Sequence, residues 1–276
     1  MNIDPMVSIV VPCFNDGRFL GDAIESAEAN LSGNCEIIIV NDGSTDARTL
    51  ELLKTIESRG HQVIHQENRG LGFSRNVGIG AARGTYILPL DADNRIRPAY
   101  IDRGIEILGR ESAIDVVYGD AEYFGEKSGR WFVPDFSLSQ MLTFNFIDAC
   151  AVIRKSAWER CGGYDENMPV QGYEDWDFWL RVALTGGQFY HLQEVLFDYH
   201  VRSGSMSSEM GKRENTRAAI RHIYAKRLSL TIGTCADVAQ SWDPIVEFAR
   251  RSPLRCLARL VRLAWFDRSG KFLSVR

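Results

Sequence analysis

Five short β-branched runs, each followed by a helix-length stretch, constrain this chain more than any other feature. Val7-Ser8-Ile9-Val10-Val11-Pro12, Glu36 to Val40, Gln62 to His65, Tyr86 to Leu90 and Ile114 to Tyr118 read as strands closed by turn residues. Between them, Arg18 to Ala29 repeats apolar residues at Phe19, Leu20, Ala23, Ile24 and Ala27, residues 46–58 place Leu50, Leu53 and Ile56 on one face, and 71–83 and 98–110 follow the same period. Connections this short predict right-handed βαβ units and a mostly parallel sheet. Such sheets bind ligands beyond the carboxyl ends of their strands.

Those strand ends are polar. Strand one runs into Cys13-Phe14-Asn15-Asp16, strand two into Asn41-Asp42-Gly43-Ser44-Thr45-Asp46, and strand four into Asp91-Ala92-Asp93-Asn94. Carboxylates from three strands therefore gather on one rim, where a cation or a hydroxyl-rich sugar would offset their repulsion. In an extended segment Asp91 and Asp93 point the same way, as a divalent ion bridging phosphates requires. An EF-hand is excluded because Arg95 and Ile96 stand where it needs an oxygen ligand and a glycine. Alone, D-x-D reads as a turn with two solvated aspartates, N-D-G-S as a tight turn, and Glu174-Asp175 as acids complementing a helix dipole. Gly78-x-Gly80-x-x-Arg83 misses a dinucleotide fingerprint, ending in arginine late in a predicted helix.

The chain has 276 residues, 45% apolar and 25% charged, and a net charge of −4, as expected for a globular α/β protein. Six cysteines (Cys13, Cys35, Cys150, Cys161, Cys235, Cys256) form no C-x-x-C pair and read as reduced core thiols in a cytoplasmic protein. No apolar run is long enough for a signal core or a membrane span. Residues 212–276 hold 14 Lys/Arg against 5 Asp/Glu, and the remainder 18 against 31. So acidic a body excludes nucleic acid as a partner, whereas the basic tail suits an anionic surface.

After residue 118 the alternation loosens. Gly119 to Phe132 reads as a loop or hairpin, Phe146 to Ile153 as a strand, Glu174 to Leu184 as a helix and Phe189 to His200 as extended. From about 212 the pattern is helical, over 212–229, 237–250 and 253–266, with Ser252-Pro253 opening the last. The serine-rich stretch near 205–211 predicts a boundary between a catalytic domain, 1–207, and a helical extension, 208–276. Arg251, Arg255, Arg259 and Arg262 line one face of the stretch 251–266, opposite Leu254, Leu257, Val261 and Trp265. This stretch is expected either to pack on the catalytic domain or to lie on the inner face of a membrane as a peripheral contact.

Taken in order, VSIVVPCFND (7–16), NDGSTD (41–46), NRGLGFSRNVGI (68–79), LDADN (90–94) and GYEDWDFWLR (172–181) resemble the inverting family-two glycosyltransferases of the GT-A fold, over about residues 5–207. The resemblance implies a three-layer α/β/α nucleotide-sugar-binding domain. In it Pro12, Asn15 and Asp42 would line the nucleoside pocket, with Asp42 facing the base. Arg75 would lie near the base or the diphosphate, Asp91 near ribose and metal, and Asp93 would ligate Mn²⁺ or Mg²⁺. Asp175 would be the general base, although its place at a helix N-terminus is expected to weaken it.

Two departures stand out. Asn94 replaces a third acid, and Tyr199-His200-Val201-Arg202 exchanges the histidine and arginine of the family's Tyr-Arg-x-His. Arg202 cannot ligate a metal but can pair with a diphosphate. The function expected is sugar transfer with inversion from a nucleotide-diphosphate donor, UDP above all, to a saccharide or lipid-linked saccharide in surface polysaccharide or glycolipid synthesis. Trp131, Phe132 and Phe144 are candidate acceptor contacts. A sugar nucleotidyltransferase is the first alternative, weakened because Cys13-Phe14-Asn15-Asp16 is no Gly-rich basic loop. A non-catalytic nucleotide-sugar or glycan binding protein is the second.

Overall fold

The computed structural model describes residues 6–30, 35–205 and 214–226. The first half follows the expected alternation: β1 (Val7–Cys13), α1 (Leu20–Ala29), β2 (Cys35–Asp42), α2 (Ala47–Ser58), β3 (Gln62–Gln66), α3 (Leu71–Ala81), β4 (Tyr86–Pro89), the two-residue β5 (Arg95–Ile96) and α4 (Tyr100–Arg110). The second half contains β6 (Ile114–Gly125), β7 (Gly129–Trp131), the single turn α5 (Leu138–Met141), β8 (Val152–Arg154), α6 (Lys155–Cys161), α7 (Glu174–Leu184) and β9 (Gln188–Val201). A further helix, α8, spans 214–226.

The sheet runs β3-β2-β1-β4-β8-β6-β9-β5, with β7 paired to β6. β1, β2, β3 and β4 are parallel, β8 is antiparallel to both of its neighbours, and β6 and β9 are parallel to one another. β1 is buried along its whole length, as a strand covered on both faces must be. Helices α1, α2 and α4 cover one face through Leu20, Ile24, Leu53, Ile56, Ile101 and Leu108. The other face packs Ile79 of α3, Trp176, Phe178 and Trp179 of α7, and Ala219 and Ile223 of α8. The three layers anticipated from the sequence are therefore present, and α8, the first helix of the expected extension, shares the second core. The expected helices 237–250 and 253–266, including the arginine stripe of 251–266, lie outside the described residues.

Residues 119–125 continue β6 and turn back as a hairpin through β7, Ala121 pairing Trp131, one of the two forms expected for 119–132. One expectation needs correction: the strand expected over 146–153 shrinks to Val152–Arg154. Its alternating apolar residues are captured by tertiary bonds instead: Trp179 Nε1 donates to the Ile147 carbonyl (3.0 Å), and Tyr100 Oη to the Cys150 carbonyl (2.7 Å). The four described cysteines, Cys13, Cys35, Cys150 and Cys161, are free thiols, as expected. Among the described residues no helix is long and apolar enough to cross a membrane.

Candidate active site

Parallel pairing brings the carboxyl ends of β1, β2, β3 and β4 to one edge, and side chains then tie the loops together. Asn15, at a left-handed φ of 55°, accepts hydrogen bonds at Oδ1 from Thr45 N (2.8 Å) and Asp46 N (3.0 Å), while its own N–H donates to Ser44 Oγ (3.0 Å). Asparagine tolerates this conformation better than most residues. Pro12 is buried inside β1, past the last residue that pairs with β4, so its missing N–H costs no bond on that side. Asp42 is also buried: Oδ1 accepts from Gln66 Nε2 (2.7 Å) and Arg69 N (2.8 Å), and Oδ2 from Gly70 N (2.9 Å). Its carboxylate thus fixes the turn that opens α3, where Gly70 has φ 90°.

Arg75, on α3, is the electrostatic centre. It is 1% exposed, and donates from Nη1 to Glu174 Oε1 and from Nη2 to Asp91 Oδ1, both at 2.6 Å. Burial opposes its charge, but Asp91 and Glu174 outweigh that and hold it firmly cationic. Glu174 also accepts from Gly172 N (2.8 Å), so its carboxylate is committed to holding the start of α7. The adjacent Asp175 differs. Asn145 Nδ2 donates to its Oδ2 (2.9 Å), and burial together with the Glu174 charge pushes its carboxyl well above the usual range, despite Arg75 and the Trp176 N–H. The weakening expected from the helix N-terminus is therefore overridden by desolvation and a like charge. Asp120 and Glu174, two other carboxylates of this half, are not free to act as bases: Asp120 accepts from Arg130, Val133 N and His191.

On the opposite flank Asp93 meets Arg202, which follows directly on β9. Arg202 Nε lies 3.0 Å from Asp93 Oδ2 and Nη2 lies 2.8 Å from Asp16 Oδ1. Burial and the neighbouring Asp91 raise the Asp93 carboxyl, and burial raises Asp16. His200, wedged between Phe19 and Phe124 at ring centroid distances of 4.6 Å, has Nδ1 buried without a hydrogen bond and 3.8 Å from Asp93 Oδ2. Burial holds its pKa below the ordinary value, the charges of Arg202, Arg18 and Arg95 opposing protonation.

These neighbours decide how well the residues suit the expected Mn²⁺ or Mg²⁺. Each carboxylate of Asp91-x-Asp93 already carries a guanidinium, and Asn94 Oδ1 accepts from His200 N (2.9 Å) rather than facing Asp93. Among the described residues no three His, Cys, Asp or Glu side chains are placed to hold a metal together. At Asp91 and Asp93, two arginines supply positive charge, each on one carboxylate oxygen.

Sequence reasoning missed Asp148 and Asn145. Asp148 accepts from Cys150 N (2.9 Å), and burial plus the Asp91 charge push its carboxyl up to about 7. Asp148 sits in the segment expected as a strand and Asn145 just before it, so nothing local marked them. Of the candidate acceptor aromatics, Phe132 is 71% exposed and Phe144 40%. Trp131 instead stacks on Tyr123 at 5.8 Å.

An α/β sheet with carboxylates gathered at the ends of its parallel strands and a buried aspartate beside them calls for comparison with known proteins. Glycosyl transferase family 2 matches residues 8–162, and the related Glycosyltransferase like family 2 matches 136–228. The chain belongs to glycosyl transferase family 2. It is 38% identical over 227 residues to the putative glycosyltransferase EpsH of Bacillus subtilis, covering 76% of this chain and 64% of that one. To the uncharacterized glycosyltransferase RT0329 of Rickettsia typhi it is 30% identical over 235 residues, covering 79% and 68%. Other relatives are longer: the chain spans 26% of protein y4gI of Sinorhizobium fredii, at 25% identity over 85% of its own length. The fold matches the Staphylococcus aureus TarS fragment in complex with UDP-GlcNAc, with a TM-score of 0.63 at 16% identity, covering 97% of this chain and 93% of that one. It equally matches the mannosyltransferase PcManGT of Pyrobaculum calidifontis in complex with GDP-Man and Mn²⁺, with a TM-score of 0.62 at 15% identity, covering 98% and 77%. The architecture is thus that of GT-A glycosyltransferases.

Proposed function

We propose that the chain transfers a sugar from a nucleotide-diphosphate donor, UDP-linked, to a saccharide hydroxyl with inversion, in surface polysaccharide or glycolipid synthesis. The observation that carries this reading is Asp175, a buried aspartate of raised basicity at the start of α7, beside Arg75 and the Asp91 rim. Asn15, Asp42 and the buried Pro12 shape the nucleoside end. Asp91, oriented by Arg75, faces the ribose, and Arg202 takes the diphosphate end. Phe132 and Phe144 offer flat faces to an acceptor sugar. The basic stretch 251–266 would bring a lipid-linked acceptor to the site.

In the transfer, Asp175 removes the proton of the acceptor hydroxyl as that oxygen bonds to the anomeric carbon. The bond from this carbon to the diphosphate breaks on the opposite side, its electron pair leaving with the diphosphate. The test is turnover of UDP-sugars with and without acceptor, following free UDP. Asp175→Asn keeps the Asn145 hydrogen bond but cannot take the proton, so turnover should fall about 10²–10⁴-fold with UDP binding retained. Turnover within a few-fold of wild type would refute the assignment, and no UDP release from any donor would favour a binding protein.

A further inference from the structure

We propose that Arg202 is a built-in cation for the leaving diphosphate, standing on Asp93 where a divalent ion would otherwise sit; this rests on the nucleotide-sugar reading above. Arg202 is fixed from two sides, by Asp93 of the loop after β4 and by Asp16 of the loop after β1. These bonds use Nε and Nη2, and Nη1 has no hydrogen-bond partner among the described residues. The side chain is 20% exposed, with its guanidinium over the Phe19 ring at 4.9 Å. A guanidinium fork suits phosphate oxygens, and two carboxylates holding its other edge remove most of the rotamer entropy that binding would otherwise cost. Asp93 and Asp16 are then positioning residues, and Arg202 meets the charge that develops on the diphosphate as the sugar departs.

A divalent ion on Asp93 Oδ2 would have to displace Nε from 3.0 Å and then lie beside the same guanidinium, like charge against like charge. His200, a nitrogen ligand beside that oxygen, is pinned between two aromatic rings with Nδ1 3.8 Å from it. The exchange of histidine and arginine in Tyr199-His200-Val201-Arg202 thus puts the longer, permanently charged side chain at the carboxylate.

Calorimetric titration of the full chain with UDP and with GDP, in EDTA and in Mn²⁺, tests this. Wild type is expected to bind UDP with affinities within about threefold in the two buffers. Arg202→Met should lose roughly 10–100-fold in both, whereas Arg202→Lys should keep part of the EDTA affinity through its charge. Arg202→His should bind weakly in EDTA and recover tenfold or more in Mn²⁺, a gain that a merely structural role for Arg202 would not produce. Wild-type binding that requires Mn²⁺, or Arg202→Met binding as tightly as wild type, overturns the inference alone. Failure of wild type to bind either nucleotide in either buffer overturns the nucleotide-sugar reading and the inference with it.

Discussion

Arg75→Met should be among the most destabilising single substitutions in this chain. Arg75 and Glu174 side chains are each 2% exposed and joined at 2.6 Å, while Asp91, the second partner, is 30% exposed. Removing the cation leaves Glu174 with only the Gly172 N–H, next to Asp175 and with Asp91 nearby. Breaking a buried pair from one side costs about 3–5 kcal/mol, and the more solvated Asp91 adds little. With a urea slope of about 3 kcal/mol/M, the unfolding midpoint should fall by roughly 1–1.7 M in equilibrium denaturation. Arg75→Met/Glu174→Met should recover at least half of that loss, because replacing both members of a buried pair by apolar groups is often nearly neutral. A loss below about 1 kcal/mol for the single variant, or purely additive losses in the cycle, would show that Arg75 does not offset buried charge here.

Two more perturbations test the fold around the site. A Cβ on Gly78 would lie 2.4 Å from Val10 Cγ1 and 3.1 Å from Val40 Cγ2, whereas one on Gly80 would meet nothing within 4 Å. Gly78→Ala is therefore expected to cost about 1–3 kcal/mol by overpacking, and Gly80→Ala to be neutral or stabilising by up to about 1 kcal/mol, as read from paired thermal melts. Burial would raise the Asp165 carboxyl, but Lys226 (2.6 Å), the Asn167 N–H and His222 (2.9 Å) outweigh it and hold the pKa at about 2. Since this lies below the unfolded value, the contribution, at most about 2–3 kcal/mol, is complete above about pH 5 and is lost as pH falls toward 2. Asp165→Asn should flatten that acid limb and speed hydrogen exchange across 214–226; unchanged exchange would mean that the core contacts of Ala219 and Ile223 suffice to hold α8.

The rim was legible in the sequence because parallel topology alone places the residues that follow β1, β2 and β4 on one edge, whatever their side chains do next. What those side chains bind was not legible. Arg75 finds Glu174 99 positions away, and Asp42 spends its carboxylate on a turn 27 and 28 residues downstream. Residues 146–151 carry an apolar alternation that reads as a strand, yet the segment folds as a loop because Trp179 and Tyr100 take its carbonyls. In losing the ladder it frees Asp148, with Asn145 just ahead of it, for the site. The tail of β9 shows the same division most sharply. That His200 and Arg202 share a face follows from the period of an extended chain, and both do come to Asp93 Oδ2, at 3.8 and 3.0 Å. Which one reaches it depends on how far β9 has slid along β6, where the pairing shifts between Ile114 and Val116 and again on either side of Asp120. Two positions along a strand are about 6.6 Å, enough to exchange an imidazole for a guanidinium at Asp93. Which group meets Asp93 is therefore set by the order of residues 199–202 together with a strand register that no local pattern specifies.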